Sequence, residues 1–148
     1  GYRGYRFEGY VFDPRQPQPE GTVPLFSWWN PERGDNFATT KQSWGMDPDA
    51  ASWTSSKITN GPSKSGYKLY RIEGYIFDPK QPQPPNTIPV YSWWNPSTQD
   101  NFLTTDPRWS MKPGEVRWQG ENITNGKRKR GYKMYRLDGY VYPPIGRW

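Results

Sequence analysis

Gly66-Tyr67-Lys68-Leu69-Tyr70-Arg71-Ile72-Glu73-Gly74-Tyr75-Ile76-Phe77 organises this chain, because its pattern occurs three times. Gly1-Tyr2, Tyr5-Arg6 and Glu8-Gly9-Tyr10 precede it by 65 positions; Gly131-Tyr132, Tyr135-Arg136 and Asp138-Gly139-Tyr140 follow it by 65. Residues 1–65 and 66–130 align without a gap, and 35 positions are identical. The 148 residues therefore read as a single domain (1–148) of two repeats, 1–65 and 66–130, with a partial third over 131–148. If the leading strand of each copy packs on the preceding unit, the last unit needs a substitute, and residues 132–142 supply it. Within one chain that gives a monomer; exchange between chains gives a homodimer.

The leading segment alternates as a strand does, with Tyr70, Ile72 and Ile76 on one face and Arg71, Glu73, Tyr75 and Phe77 on the other. Gly74 in mid-strand marks a bulge or a close backbone approach. Asp78-Pro79-Lys80-Gln81-Pro82-Gln83-Pro84-Pro85 is an extended connector without ladder donors. Pro89-Val90-Tyr91-Ser92-Trp93-Trp94 and Asn101-Phe102-Leu103-Thr104-Thr105 flank a turn begun by Asn95-Pro96, which reads as a hairpin. Ile123-Thr124 is a short strand, with Asn125-Gly126 as its hairpin dipeptide. Residues 44–52 and 109–117 hold at most one helical turn each. The fold class is all-β: a compact antiparallel barrel, sandwich or propeller-like domain built from two repeats and a third leading strand.

Mean hydropathy is -1.12, a value typical of disorder, yet 9 Trp, 11 Tyr and 6 Phe argue for a folded, aromatic core. Eight of the nine Trp form repeat pairs: Trp28/Trp93, Trp29/Trp94, Trp44/Trp109 and Trp53/Trp118, with Trp148 single. Trp44, Trp53 and their partners read as repeated core. The sequence has no Cys and no His, which excludes disulfides, a thiol nucleophile, Cys/His zinc sites and imidazole-based triads. No apolar run spans a membrane, and no signal peptide is visible.

The net charge of +6 is local. Residues 1–116 carry 12 basic and 12 acidic side chains; residues 117–148 carry 8 and 2, centred on Lys127-Arg128-Lys129-Arg130. The first unit has Pro62-Ser63-Lys64-Ser65 there. The cluster is a solvated loop or a site for an anionic partner, and without an RNA-motif signature it argues against nucleic acid as the ligand.

The repeated constellation best suited to binding is Trp28, Trp29, Asn30, Asp35, Asn36 and Thr40, with Trp93, Trp94, Asn95, Asp100, Asn101 and Thr105 in the second copy. Adjacent Trp on a strand point to opposite faces, so one of each pair enters the core and one faces outward. An outward indole stacks on the C–H face of a sugar, with the amides and Asp taking hydroxyls and Thr40 and Thr105 lining the edge. The alternative is that Asn and Asp build the turn and both Trp pack inside. Glu8, Glu73 and Asp138, beside Arg6, Arg71 and Arg136, read as structural ion pairs or, alternatively, as hydrolase carboxylates. Asp13, Asp35, Asp78 and Asp100 are too scattered for a calcium loop, so neither a metal nor a cofactor is expected. Asn122-Ile123-Thr124 is an N-glycosylation sequon without a counterpart in the first unit.

Pro24-Leu25-Phe26-Ser27-Trp28-Trp29-Asn30-Pro31, then Asp35-Asn36-Phe37-Ala38-Thr39-Thr40, then Gly66-Tyr67 to Glu73-Gly74-Tyr75-Ile76, resembles a family of small extracellular tandem repeats. Its hallmark is Pro-Leu-Tyr-x-x-Tyr-Asn-Pro, a turn, Asp-His-Phe-Tyr-Thr-Thr, then a Gly-Tyr…Glu-Gly…Tyr-Val strand. Asn36 and Asn101 stand where that family commonly has His, and the Trp pairs where Tyr is common. The resemblance implies a secreted location and an accessory role beside carbohydrate-active and cell-wall enzymes. The expected function is a non-enzymatic, lectin-like protein with two repeat-related glycan sites. The alternatives are a small carboxylate-dependent glycan hydrolase, or a toxin-like protein binding anionic partners through residues 127–130.

Overall fold

A computed structural model describes residues 9–144. Arg6, Glu8 and Trp148 lie outside the described residues. The chain is all-β and antiparallel. The first half holds β1 (Thr22–Asn30), β2 (Asp35–Thr39), β3 (Trp53–Thr54), β4 (Lys57–Ile58), β5 (Ser63–Lys64) and β6 (Tyr67–Phe77). The second repeats it as β7 (Ile88–Asn95), β8 (Asp100–Thr104), β9 (Trp118–Gln119), β10 (Asn122–Ile123), β11 (Arg128–Lys129) and β12 (Tyr132–Val141). Single 3-10 turns at Gln42–Trp44, Pro48–Ala50, Pro107–Trp109 and Pro113–Glu115 carry the loops between.

The main sheet runs β2-β1-β6-β12-β7-β8, with β5 beside β6 and β11 beside β12. Each leading strand thus closes the preceding hairpin: β6 pairs β1, and β12 pairs β7 within the same chain. The structural units begin at the hairpins, about 20 residues after the start of each sequence repeat. The two units share one ladder pair, Tyr140 with Phe77, and a small apolar seam of Ile76, Val90 and Val141. Phe12 bridges to Tyr75 and Tyr10 to Tyr142, so the described end of the first copy joins this seam. The sheet does not close; its end strands β2 and β8 come close without a ladder.

Each unit has its own core. Phe26, Trp28, Leu69, Ile72 and Ile58 fill the first; Tyr91, Trp93, Met134, Leu137 and Ile123 fill the second. Trp44 meets Trp28 edge-on at 4.9 Å, and Trp109 meets Trp93 at 4.8 Å, as ring quadrupoles favour. Trp53 and Trp118 are half-buried under cations from the proline-rich connectors, Arg15 at 4.4 Å and Lys80 at 4.8 Å from the ring centres.

Two features differ from the pattern read along the sequence. Leu69, not Tyr70, lies in the core with Ile72, because β6 is bulged twice. Its register against β1 skips Tyr70 and Glu73, and β12 skips Tyr135 and Asp138 against β7. An extra residue on one strand shifts every later side chain to the other face. Asn125-Gly126 is also not the hairpin turn. That turn lies five residues later, at Arg130-Gly131, and in the first unit at Ser65-Gly66; both residues have positive φ in each (52° and 87°). This is the signature of a two-residue type I′ connection.

Candidate ligand-binding cleft

The repeated hairpin residues divide between scaffold and surface. Trp28 and Trp93 are sealed in the core, 1% and 0% exposed, and donate their Nε1–H to the Trp44 and Trp109 carbonyls at 2.9 and 3.1 Å. They cannot stack on a ligand. Asn30 and Asn95 are buried turn-builders: Asn30 Oδ1 accepts from the amides of Glu32 and Arg33, and Asn95 Oδ1 from those of Ser97 and Thr98. Asp35 accepts the Tyr67 hydroxyl at 2.7 Å, and Asp100 accepts Tyr132 at 2.7 Å. Burial pushes the Asp35 carboxyl up against the effect of that hydroxyl, and the Asp100 charge adds to the rise. Thr40 and Thr105 are buried, not at an edge. Thr40 donates its Oγ1–H toward Asp138 and accepts from Arg136 Nη2 at 2.7 Å.

Trp29, Asn36, Trp94 and Asn101 remain at the surface. The register makes Trp29 the cross-strand partner of both Asn36 and Lys68, and Trp94 the partner of both Asn101 and Lys133. Each unit therefore presents a row of Asn, Trp and Lys across three strands. The two rows sit differently. Trp29 is 40% exposed and Asn36 is open, whereas Trp94 and Asn101 are half-buried.

The difference arises because the second row faces the first unit. Trp94, Asn101, Lys133 and Tyr135 form one wall of a cleft of about 430 Å³. Phe37, Trp44, Tyr67, Arg33, Thr39 and Lys41 form the other, with Ser65 and Asn122 at its margin. This volume lies within the roughly 300–1,000 Å³ of small-ligand sites. Three aromatic rings of the far wall already hold one another edge-on: Phe37 with Trp44 at 5.3 Å and with Tyr67 at 5.0 Å. That wall is preformed.

The polar groups of the cleft are unevenly satisfied. Asn101 Oδ1 is buried and accepts no hydrogen bond. Among the described residues, the Lys41 ammonium has neither a hydrogen-bond acceptor nor an ion-pair partner; it lies 5.3 Å from the Tyr135 ring centre. Burial, and then the Arg136 charge, hold the Lys41 amine below the ordinary lysine range. Burial pushes the Tyr135 hydroxyl up, so it stays protonated at neutral pH. Lys133 uses one donor on the Gly126 carbonyl at 3.0 Å, and Arg33 reaches the Tyr67 hydroxyl at 3.4 Å. Among the described residues, no carboxylate lines the cleft. Binding through aromatic faces, an amide and cations is the chemistry available there.

Arg33, Lys41, Lys133 and Tyr135 were not among the residues singled out in the sequence. Lys133 could be found only through the β7–β12 register, and Tyr135 only through its bulge. The repeated acids are ion-paired: Glu73 to Arg71 at 2.9 Å with Ser27 donating at 2.7 Å, and Asp138 to Arg136 at 3.0 Å. The basic loop is partly structural. Lys127 donates to the Ser110 carbonyl, and Lys129 donates to Arg108 while covering Trp109 at 4.5 Å. Lys64 repeats the Lys129 contact on Ser43 and Trp44; Lys127, Arg128 and Arg130 are the exposed cations of the loop.

No group of three or more potential metal ligands occurs among the described residues, and no helix there is long and apolar enough to cross a membrane. No curated protein and no solved structure matches the chain. One family model, described as "Domain of unknown function (DUF5648)", matches residues 52–140. The match runs from just before β3 to the penultimate residue of β12 and covers more than half of the chain, which therefore belongs to the DUF5648 family.

Proposed function

We propose that the protein is a non-enzymatic, secreted carbohydrate-binding module, and that its principal site is the cleft between the two units. The observation that carries this reading is the pairing of Trp94 with Asn101, whose buried Oδ1 has no donor. A buried acceptor without a partner costs about 1–3 kcal/mol, which a ligand hydroxyl would recover. The half-buried indole beside it offers a flat face for the C–H side of a pyranose. A cleft without carboxylates favours binding over hydrolysis, because glycoside hydrolysis ordinarily needs two carboxyl groups around one sugar. Trp29 and Asn36 form an open counterpart of this surface and would add contacts along a longer chain.

Trp fluorescence titrated with a panel of plant and bacterial cell-wall oligosaccharides tests the proposal. Saturable binding is expected; followed by isothermal titration, which does not need the indole as reporter, it is abolished by Trp94→Ala and weakened at least fivefold by Asn101→Ala, with the thermal unfolding midpoint of each variant close to that of the parent. A panel that produces no saturable change, or binding that survives Trp94→Ala and vanishes in Trp29→Ala, overturns it.

A further inference from the structure

Resting on that reading, we infer that the cleft selects anionic saccharides, with Lys41 and Arg33 engaging a carboxylate or sulfate of a sugar whose ring stacks on Trp94. The Lys41 ammonium is half-buried and, among the described residues, unpaired. Glu121 and Asp138 act on it only from beyond ion-pair distance, so burial is not fully compensated, and a ligand anion in direct contact would compensate it. Arg33 spends one weak contact on Tyr67, so most of its guanidinium donors remain for a planar anion. Lys133 keeps two of its three donors and flanks Trp94 on the opposite wall. Asn101 Oδ1 needs a donor, which a hydroxyl supplies and a phosphodiester or sulfate group alone does not. The required ligand therefore carries an anion and a hydroxyl on one compact ring, as a uronate or sulfated sugar does.

The two ammonium and guanidinium groups are specific to this cleft. The repeat partner of Lys41 is Asp106, whose carboxylate is held by Arg108 at 2.7 Å, and that of Arg33 is Thr98. Duplication supplied the Trp-Asn-Lys rows twice, but the unpaired ammonium once. Among the described residues, this combination therefore occurs in this cleft and not at its repeat-related position.

Isothermal titration of the full chain with a galacturonate tetramer, a heparin-derived tetrasaccharide and a neutral chitin tetramer tests this, at low and moderate salt. At least one anionic probe is expected to bind about tenfold tighter than the neutral one, the size of a charge-assisted hydrogen bond. The galacturonate and heparin arms separate carboxylate from sulfate recognition. Lys41→Gln is expected to bring the preferred anionic probe within about twofold of the neutral one, the anionic affinity falling by more than the neutral one. Arg33→Gln, on an exposed turn, is a second variant that carries little folding risk and should lower the same preference. Equal affinity for neutral and anionic probes, or a preference that survives both variants, overturns the inference while the carbohydrate reading stands. Tighter binding of a single-stranded oligonucleotide than of any saccharide overturns it too. If no saccharide of either kind binds, the carbohydrate reading falls with it.

Discussion

Two adjacent tryptophans on one strand have opposite fates, and this sets their worth. Trp93 is fully buried, with its indole N–H on Trp109 and its ring in a cluster of Met134, Leu137 and Tyr91. Its removal leaves a large cavity and an orphaned carbonyl, so Trp93→Ala should cost about 3–5 kcal/mol. Trp29→Ala should cost less, about 1–2 kcal/mol, because Trp29 is 40% exposed. Urea midpoints at constant slope check both, and equal losses would contradict this packing. A similar contrast holds for glycine. A Cβ on Gly126 would stand 1.9 Å from the Met134 carbonyl oxygen, backbone against backbone, and one on Gly61 would stand 2.0 Å from that of Leu69. Ala at either should cost at least about 1–3 kcal/mol. Gly114→Ala, with nothing within 4 Å, should be neutral or stabilise by about 0.5 kcal/mol. The split of the Trp pair was legible from alternation alone. The Asn125-Gly126 pair reads as a turn along the sequence but is not one, because a glycine chosen for close approach looks the same as one chosen for positive φ.

At the scale of elements, the bulges decide where chemistry sits. Tyr135 and Asp138 are the two supernumerary residues of β12, and Tyr70 and Glu73 are those of β6. Bulges re-aim side chains: one turns Tyr135 into the cleft and the other turns Asp138 into a buried network with Arg136, Thr40 and Ser92. A strict period of two hides both, so the sequence revealed the strands and their three-fold recurrence but not the placement of these groups. The two acid–arginine pairs also differ in worth despite equivalent positions. Asp138 and Arg136 are 0% and 6% exposed; Glu73 and Arg71 are 35% and 32% exposed. Breaking a buried pair strands a charge, so Asp138→Ala should cost about 3–5 kcal/mol. Solvent screening reduces the exposed pair, and Glu73→Ala should cost about 0–1 kcal/mol. Thermal unfolding of the two variants under one condition tests the ratio; equal destabilisation would refute it.

Across the whole molecule, some ties between units come from residues that are not repeated. The 65-residue period made the two units and their borrowed leading strands legible, but Glu121 has Ser56 as its counterpart and Lys41 has Asp106. Identity between copies therefore reveals each unit and is silent on how the units meet. Glu121, on the β9–β10 turn of the second unit, reaches the 3-10 turn of the first. Its carboxylate accepts from the Gln42 amide at 2.5 Å and the Ser43 hydroxyl at 2.6 Å. Burial pushes this carboxyl up, but the Ser43 hydroxyl and the Gln42 and Ser43 amides outweigh it and hold it below the ordinary 4.5. The unfolded chain thus takes up a proton at higher pH than the folded one. The stabilisation is complete above pH 4.5 and is lost as pH falls through the lower, folded value. Glu121→Gln should be less stable than the parent at pH 6.5, by at most about 1 kcal/mol for so accessible a group. The gap should be smaller at pH 3, because the parent carboxyl loses its charge as pH falls through the folded value. Urea titrations of both proteins at the two pH values measure it, and a gap that persists or widens in acid would show that Glu121 does not join the units through its charge.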